Sequence, residues 1–189
     1  DLEGYLVTST QLYKTVDGGL NWGDGQGGTG AMHTGTGFRS VFADANNIFV
    51  GKSNGVLDYK LGTAAFVVPT IPVITGEISE IHIDYPTTSN GSGNGVILNN
   101  TGKIYTTSFT LPSSPFASAW TCFNCTGSYS VDNFKDLDFG TALKGFAMSD
   151  KGKILSTTNG GSNWQLVVDH QDAAGTYKTM KFSSFNGNG

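Results

Sequence analysis

Short runs of alternating apolar and polar residues, punctuated by Gly, Asn and Asp, fill this chain from end to end. One set comprises Phe38 to Ala43, Ile78 to Ile83, Phe134 to Phe139 and Tyr177 to Phe182. A second comprises Asn47 to Gly51, Gly95 to Leu98 and Gly145 to Met148, with Gly4 to Thr8 as its counterpart near the start. A third comprises Gln11 to Thr15, Val56 to Lys60, Gly102 to Thr107 and Gly152 to Thr157. Alternation over about four to eight residues gives one face to a core and one to solvent, the pattern of half-buried antiparallel strands. A fourth strand in each unit is expected to open near an aromatic residue: Trp22, Phe66, Trp120 or Trp164. No amphipathic helical window of useful length is present, and Ala173-Ala174 is cut short by Gly175. The expected class is all-β.

The runs recur in a fixed order. Tyr13, Tyr59, Tyr105 and Leu155 occupy equivalent places, at steps of 46, 46 and 50 residues. A four-stranded unit of roughly 40 to 50 residues, repeated, is the blade of a β-propeller. The expectation is a β-propeller of four four-stranded blades in one domain. Blade 1 takes 176–189 plus 1–30, blade 2 takes 36–74, blade 3 takes 75–126 and blade 4 takes 131–172. In this reading the C-terminal strand, residues 176–182, pairs with the N-terminal strands and closes blade 1. Closure hides the edge strands that an open stack leaves exposed. An excerpt of a larger propeller and one period of a longer array are the alternatives. A chain that begins at Asp1 instead of Met reads as processed or excerpted.

Two turns stand out between third and fourth strands. Thr15-Val16-Asp17-Gly18-Gly19-Leu20-Asn21-Trp22 is echoed by Thr157-Thr158-Asn159-Gly160-Gly161-Ser162-Asn163-Trp164. Asp-Gly and Asn-Gly tolerate the positive φ of a tight turn, and the Asp or Asn side chain can bond nearby N–H groups. The Trp is expected to bury its ring as it opens the next strand. These residues resemble the Asp-box (BNR) repeat propellers, and Gly145 to Thr157 is similar to blades of the photosystem II assembly-factor type. The resemblance implies that Thr15, Asp17, Gly18, Gly19, Trp22, Thr157, Asn159, Gly160, Gly161 and Trp164 hold the fold, remote from any active site. Units two and three depart from the box, with Lys60-Leu-Gly-Thr-Ala-Ala-Phe66 and a longer insertion before Trp120. Such propellers include sialidases, other glycosidases, sorting receptors and assembly factors, so the likeness implies architecture and not activity.

Composition narrows the function classes. Charged residues are 14% of the chain, against about 25% in ordinary soluble proteins, and Gly numbers 27. That surface of hydroxyls and amides fits an extracellular or cell-surface protein. A net charge of −4 without a basic cluster argues against nucleic acid as a partner. No apolar run reaches the roughly 18 residues of a membrane-spanning helix, so no membrane insertion is expected. Cys122 and Cys125 form Cys-Phe-Asn-Cys, read as a local structural disulfide ahead of free thiols or metal. Zinc needs two further ligands, and His33, His82 and His170 lack ligand spacing. Asn90, Asn99 and Asn124 each begin a glycosylation pattern that chance alone can supply in such a chain.

Candidate chemistry is sparse. A sialidase clamps its substrate carboxylate with three arginines, and this chain has only Arg39. Glu80, His82, Asp136, Asp138 and Lys181 fall on first strands, which line a propeller's central channel. Two carboxylates from this set are the minimum for a glycosidase, but no third group is evident to tune them. They read as solvated channel side chains. The Gly-rich stretch Gly23 to Gly30 has no Lys for phosphate and reads as a flexible loop. No cofactor or metal is expected. Tyr5, Tyr85, Trp120, Phe123 and Tyr129 are candidate contact aromatics, more often packing than binding. The polar insertions Pro86 to Gly95 and Thr110 to Ala119 are the first places to look for specific contacts. The sequence therefore points to a non-catalytic extracellular propeller with protein partners, including self-assembly into a filament or surface structure. A glycan-binding, lectin-like propeller is the alternative, and a glycosidase comes third.

Overall fold

The computed structural model describes residues 2–44, 46–70, 72–111, 119–170 and 179–180. Four antiparallel sheets follow one another along the chain, each a meander of consecutive strands. The first holds β1 (Gly4–Val7), β2 (Gln11–Thr15) and β3 (His33–Thr34). The second holds β4 (Phe38–Ala43), β5 (Asn47–Lys52) and β6 (Leu57–Leu61). The third holds β7 (Ile78–Asp84), β8 (Ser92–Asn99), β9 (Ile104–Thr110) and β10 (Thr121–Cys122). The fourth holds β11 (Phe134–Phe139), β12 (Gly145–Ser149), β13 (Lys153–Thr157) and β14 (Gln165–Asp169). A 3-10 turn at Gly127–Tyr129 is the one helical element among the described residues. The chain divides into two compact units, Asp1–Ile81 and His82–Gly189, with the boundary inside β7.

The period-2 pattern explains where each core sits. In the first unit Leu12, Phe38, Ile48 and Val50 are buried together, with Tyr5, Val7, Met32 and Phe66 packed on them. In the second, Val96, Leu98, Ile104, Phe134, Leu137, Ala147, Leu155 and Trp164 form the core, joined by Phe123, Tyr129 and Phe139. Tyr5, Phe123 and Tyr129 are thus packing aromatics, and not free contact residues. First strands β4 and β11 share a bulge just after a buried phenylalanine, where the register shifts between Phe38 and Ser40 and between Phe134 and Asp136. The extra residue is basic each time, Arg39 or Lys135, and both are exposed. The bulge lets a charged side chain leave the sheet without disturbing the Phe that anchors it.

Two sheets have three described strands where four were expected. The fourth strand of the second sheet shrinks to one bridge, Tyr59 to Val67, and Pro69 and Pro72 follow. Proline has no N–H to donate to a ladder, which stops the strand there. In the first sheet the strand closing on β1 was expected from residues 176–182, of which only 179–180 are described. In the third sheet the insertions are partly hairpin: β8 and β9 stay in register out to Ser92 opposite Thr110.

The two Gly-Gly turns share three side-chain bonds. Thr15 Oγ1 donates to Asp17 Oδ1 at 2.8 Å and accepts from the Gly19 N–H at 2.9 Å. Thr157 Oγ1 donates to Asn159 Oδ1 at 3.0 Å and accepts from the Gly161 N–H at 3.0 Å. The Asn21 N–H reaches Asp17 Oδ1 at 2.9 Å, as the Asn163 N–H reaches Asn159 Oδ1 at 2.9 Å. Gly18, Gly19, Gly160 and Gly161 all have positive φ. The tryptophans differ, however. Trp164 is 7% exposed against Phe123 and Phe139, whereas Trp22 is 39% exposed and donates from Nε1 to the Gly19 carbonyl at 3.1 Å. After Trp22 the pairing with β2 is one bridge, Lys14 to Asp24, and the chain then runs on to β3.

The shared turn carries a charge at one copy only. Bonds from the Asn21 backbone, the Asn21 amide and the Thr15 hydroxyl hold the Asp17 carboxyl down to about 2. A depressed carboxyl contributes stability above its unfolded value, and that contribution disappears as pH falls through the folded value. Wild-type stability is therefore expected to decline between about pH 4 and about pH 2 more steeply than that of Asp17→Asn. Urea midpoints across this acid range check it; parallel slopes for the two proteins would refute the assignment.

Candidate functional site

Of the predicted channel residues, His82, Asp136 and Asp138 are engaged with neighbouring groups. His82 stacks on Phe139 at 3.9 Å between ring centroids, and its Nε2 faces the Ala142 carbonyl at 3.2 Å. Burial pushes the His82 imidazole below its ordinary pKa, against the carbonyl and the charges of Asp84 and Asp138. Asp136 is buried and accepts from the Met180 N–H, and Asp138 accepts from the Phe139 N–H at 3.1 Å. Asp136 is buried, and His82 is partly buried. Glu80 is partly buried and engaged, and Lys181 lies outside the described residues.

Two glycosylation candidates fail on burial. Asn124 is fully buried; its Nδ2 donates to the Gly102 and Asp132 carbonyls, and its Oδ1 accepts from the Ile104 N–H. Asn99 is 4% exposed and its Oδ1 accepts from the N–H groups of Thr101 and Lys103. Neither can carry a glycan in this fold. Asn90 is exposed. Cys122 and Cys125 form the expected disulfide, which ties the two-residue strand β10 to the turn that follows. No group of three metal-ligating side chains is present among the described residues.

The site that sequence reasoning missed lies in the first unit. A cleft of about 520 Å³ opens between the Gly-rich stretch after Trp22 and the turn after β6. Its floor is His33, on β3. The imidazole stacks face to face on Phe66 at 4.0 Å and less closely on Phe38 at 5.4 Å. His33 Nε2 lies 3.2 Å from Asp58 Oδ2, and Lys52 Nζ reaches both Asp58 oxygens at 3.2 Å. The Asp58 side chain is 0% exposed and that of His33 10%. A carboxylate only accepts, so Nε2 is the nitrogen that donates to Asp58, and an imidazole with a single proton placed there offers Nδ1 as an acceptor. Nδ1 has no partner among the described residues.

One wall is pinned by its own acid. Asp24 Oδ1 accepts from the Gln26 N–H at 2.7 Å and the Gly28 N–H at 2.9 Å. Backbone bonds between Lys14 and Gly23 anchor the start of this stretch to β2, so it is a built wall where a flexible loop was expected. On the other wall Lys60 Nζ donates to the Gly62 and Ala64 carbonyls at 2.9 and 2.8 Å. The one sequence signal for this wall was Asp24 two residues before Gln26, the spacing of a side-chain-capped turn.

No protein-family model matches the chain, and no curated protein matches it. Among solved structures, YCF48 bound to a D1 peptide is similar at 21% identity and a TM-score of 0.56, covering 96% of this chain and 55% of that one. YCF48 from Cyanidioschyzon merolae is similar at 18% identity and a TM-score of 0.49, covering 88% of this chain and 56% of that one. The WD40 domain of SCAP from fission yeast is similar at 12% identity and a TM-score of 0.44, covering 94% and 43%. The chain spans about half the length of these proteins. Four successive antiparallel meanders and the first of these likenesses agree on one fold, and that fold is a β-propeller.

Proposed function

We propose that this chain is a non-catalytic, extracellular propeller module of the Asp-box type, working through protein contacts as a structural subunit of a surface or filamentous assembly. The observation that carries the reading is the apolar surface around the first Gly-Gly turn. Leu20 is 84% exposed, with Val16 and Trp22 on the same turn, and the Leu2 carbonyl accepts from the Gly18 N–H. The equivalent turn in the fourth sheet offers Ser162 in place of Leu20 and buries its tryptophan. Large apolar side chains held on a rigid turn favour a protein surface as partner. The disulfide and the low charge favour an oxidising compartment outside the cell. His33 and His82, the histidines best placed for acid–base work, are stacked on rings, which favours binding over turnover. One solved propeller similar in fold, YCF48, is described with a bound D1 peptide, so the architecture can accept protein segments.

The test is the mass and shape of native material, by light scattering together with electron microscopy. Particles well above the 19.9 kDa of one chain are expected, and Leu20→Glu is expected to disperse them. A monomer at every concentration, or particles indifferent to Leu20→Glu, would overturn the proposal.

A further inference from the structure

We infer that the cleft over His33 is a binding site for a neutral, hydroxyl-rich ligand with the chemistry of a sugar residue. This inference stands apart from the assembly reading and uses a different surface. Its first support is preorganisation. The His33 side chain is nine-tenths buried, held by Asp58 at one nitrogen and by Phe66 across its face, and its other nitrogen is left as an acceptor. Asp24 is fixed in the same way: Oδ1 is committed to two backbone N–H groups, and Oδ2 has no partner among the described residues. Two acceptors whose orientation is already set lose little entropy when a donor arrives.

The second support is the balance of chemistry around the cleft. Asp24 contributes a negative charge from one wall and Lys60 a positive charge from the other. A singly charged ligand would satisfy one and oppose the other. The Gln26 amide and the Thr63 hydroxyl, both in the lining, can each donate and accept. A ligand suited to this mixture must carry donors and acceptors on one small frame without net charge. Vicinal hydroxyl groups do that, since each hydroxyl is one donor and two acceptors. The remaining lining, with Met32, Ala64 and Phe66, gives the apolar surface on which the C–H face of a sugar ring packs. The volume, about 520 Å³, is within the range of small-ligand sites. A basic peptide side chain would use the same two acceptors, but Lys60 stands against it.

The experiment is an amide-shift titration of the labelled full chain with the methyl glycosides of glucose, galactose, mannose and N-acetylglucosamine. A lysine-containing tripeptide is run in parallel. At least one glycoside is expected to give saturable shifts centred on residues 24–33 and 60–66, at about millimolar affinity. Asp24→Asn keeps the carbonyl oxygen that pins the wall and replaces the free acceptor with a donor. It is expected to weaken that binding by about tenfold with the rest of the spectrum unchanged. Phe66→Ala should weaken it by a similar factor. No saturable shift with any glycoside, shifts indifferent to Asp24→Asn, or saturation by the tripeptide alone would each overturn the assignment.

Discussion

Asp58→Ala is expected to lower the free energy of unfolding by about 3–5 kcal/mol, because it strands a buried ammonium. Lys52 and Asp58 are almost wholly enclosed, with side chains 10% and 0% exposed. Lys52 Nζ has Asp58 as its bonded partner and lies 5.7 Å from the centre of the Phe38 ring. Removing the carboxylate leaves that charge without compensation and also frees His33 Nε2. The pair itself contributes far less than its loss costs, since desolvation offsets most of the attraction. Lys52→Met combined with Asp58→Leu should therefore be less damaging than Asp58→Ala alone. Urea unfolding of the three proteins decides the matter. A single-variant loss below about 1 kcal/mol would mean that water reaches the pair and screens it as it does a surface ion pair.

The strands were legible from the alternation of residue types, although burial follows it loosely: β5 is buried along its whole length and β14 is mostly exposed. β4 and β11 begin and end where the alternation of Phe38–Ala43 and Phe134–Phe139 begins and ends. Both Gly-Gly turns were legible from residue type, since Asp, Asn and Gly are what positive φ and local side-chain bonds require. The fate of the tryptophans was not. Trp164 is buried because a five-residue strand, β14, carries it onto Phe123 and Phe139. Trp22 is followed by a glycine-rich excursion that brings no comparable layer over the ring. A shared motif thus takes its burial from what comes next.

The cleft was invisible for a different reason. His33 and Asp58 are 25 residues apart and Lys52 is six from Asp58, on strands whose alternation says only which face each occupies. What brings them together is the packing of one sheet on the next, and no local spacing encodes it. The same holds for Asn124, whose Asn-Cys-Thr context matches a glycosylation pattern and says nothing of its burial. Three backbone groups from two segments meet its amide instead: the Ile104 N–H and the carbonyls of Gly102 and Asp132. Buried polar side chains are bonded as a rule, so a polar residue in a repeat protein can be the joint between repeats.

Gly102→Ala is expected to cost roughly 2–5 kcal/mol, the sum of a left-handed backbone penalty and an overpacking penalty. Gly102 closes the turn between β8 and β9 at φ +75°, which an L side chain adopts with strain. A Cβ there would lie 2.6 Å from the Asn133 Cα and 2.7 Å from the Phe134 N. Those are backbone atoms leading into β11, the first strand of the next sheet, and they cannot rotate aside. The Gly102 carbonyl is also in use, accepting from the Phe134 N–H at 3.1 Å and from Asn124 Nδ2 at 3.0 Å. The turn is therefore a joint between two repeats, and adding a methyl group pushes at the seam. Two controls separate the causes. Gly62 also has positive φ, +55°, but nothing stands within 4 Å of its Cβ position, so Gly62→Ala should cost only about 1–2 kcal/mol. Gly140 has neither positive φ nor a near neighbour, so Gly140→Ala should be neutral or stabilising by up to about 1 kcal/mol. Thermal or urea unfolding of the three variants should rank them Gly102, Gly62, Gly140 in order of damage. Equal losses at Gly102 and Gly62 would show that the backbone angle alone sets the cost and that the close approach of the next repeat adds nothing.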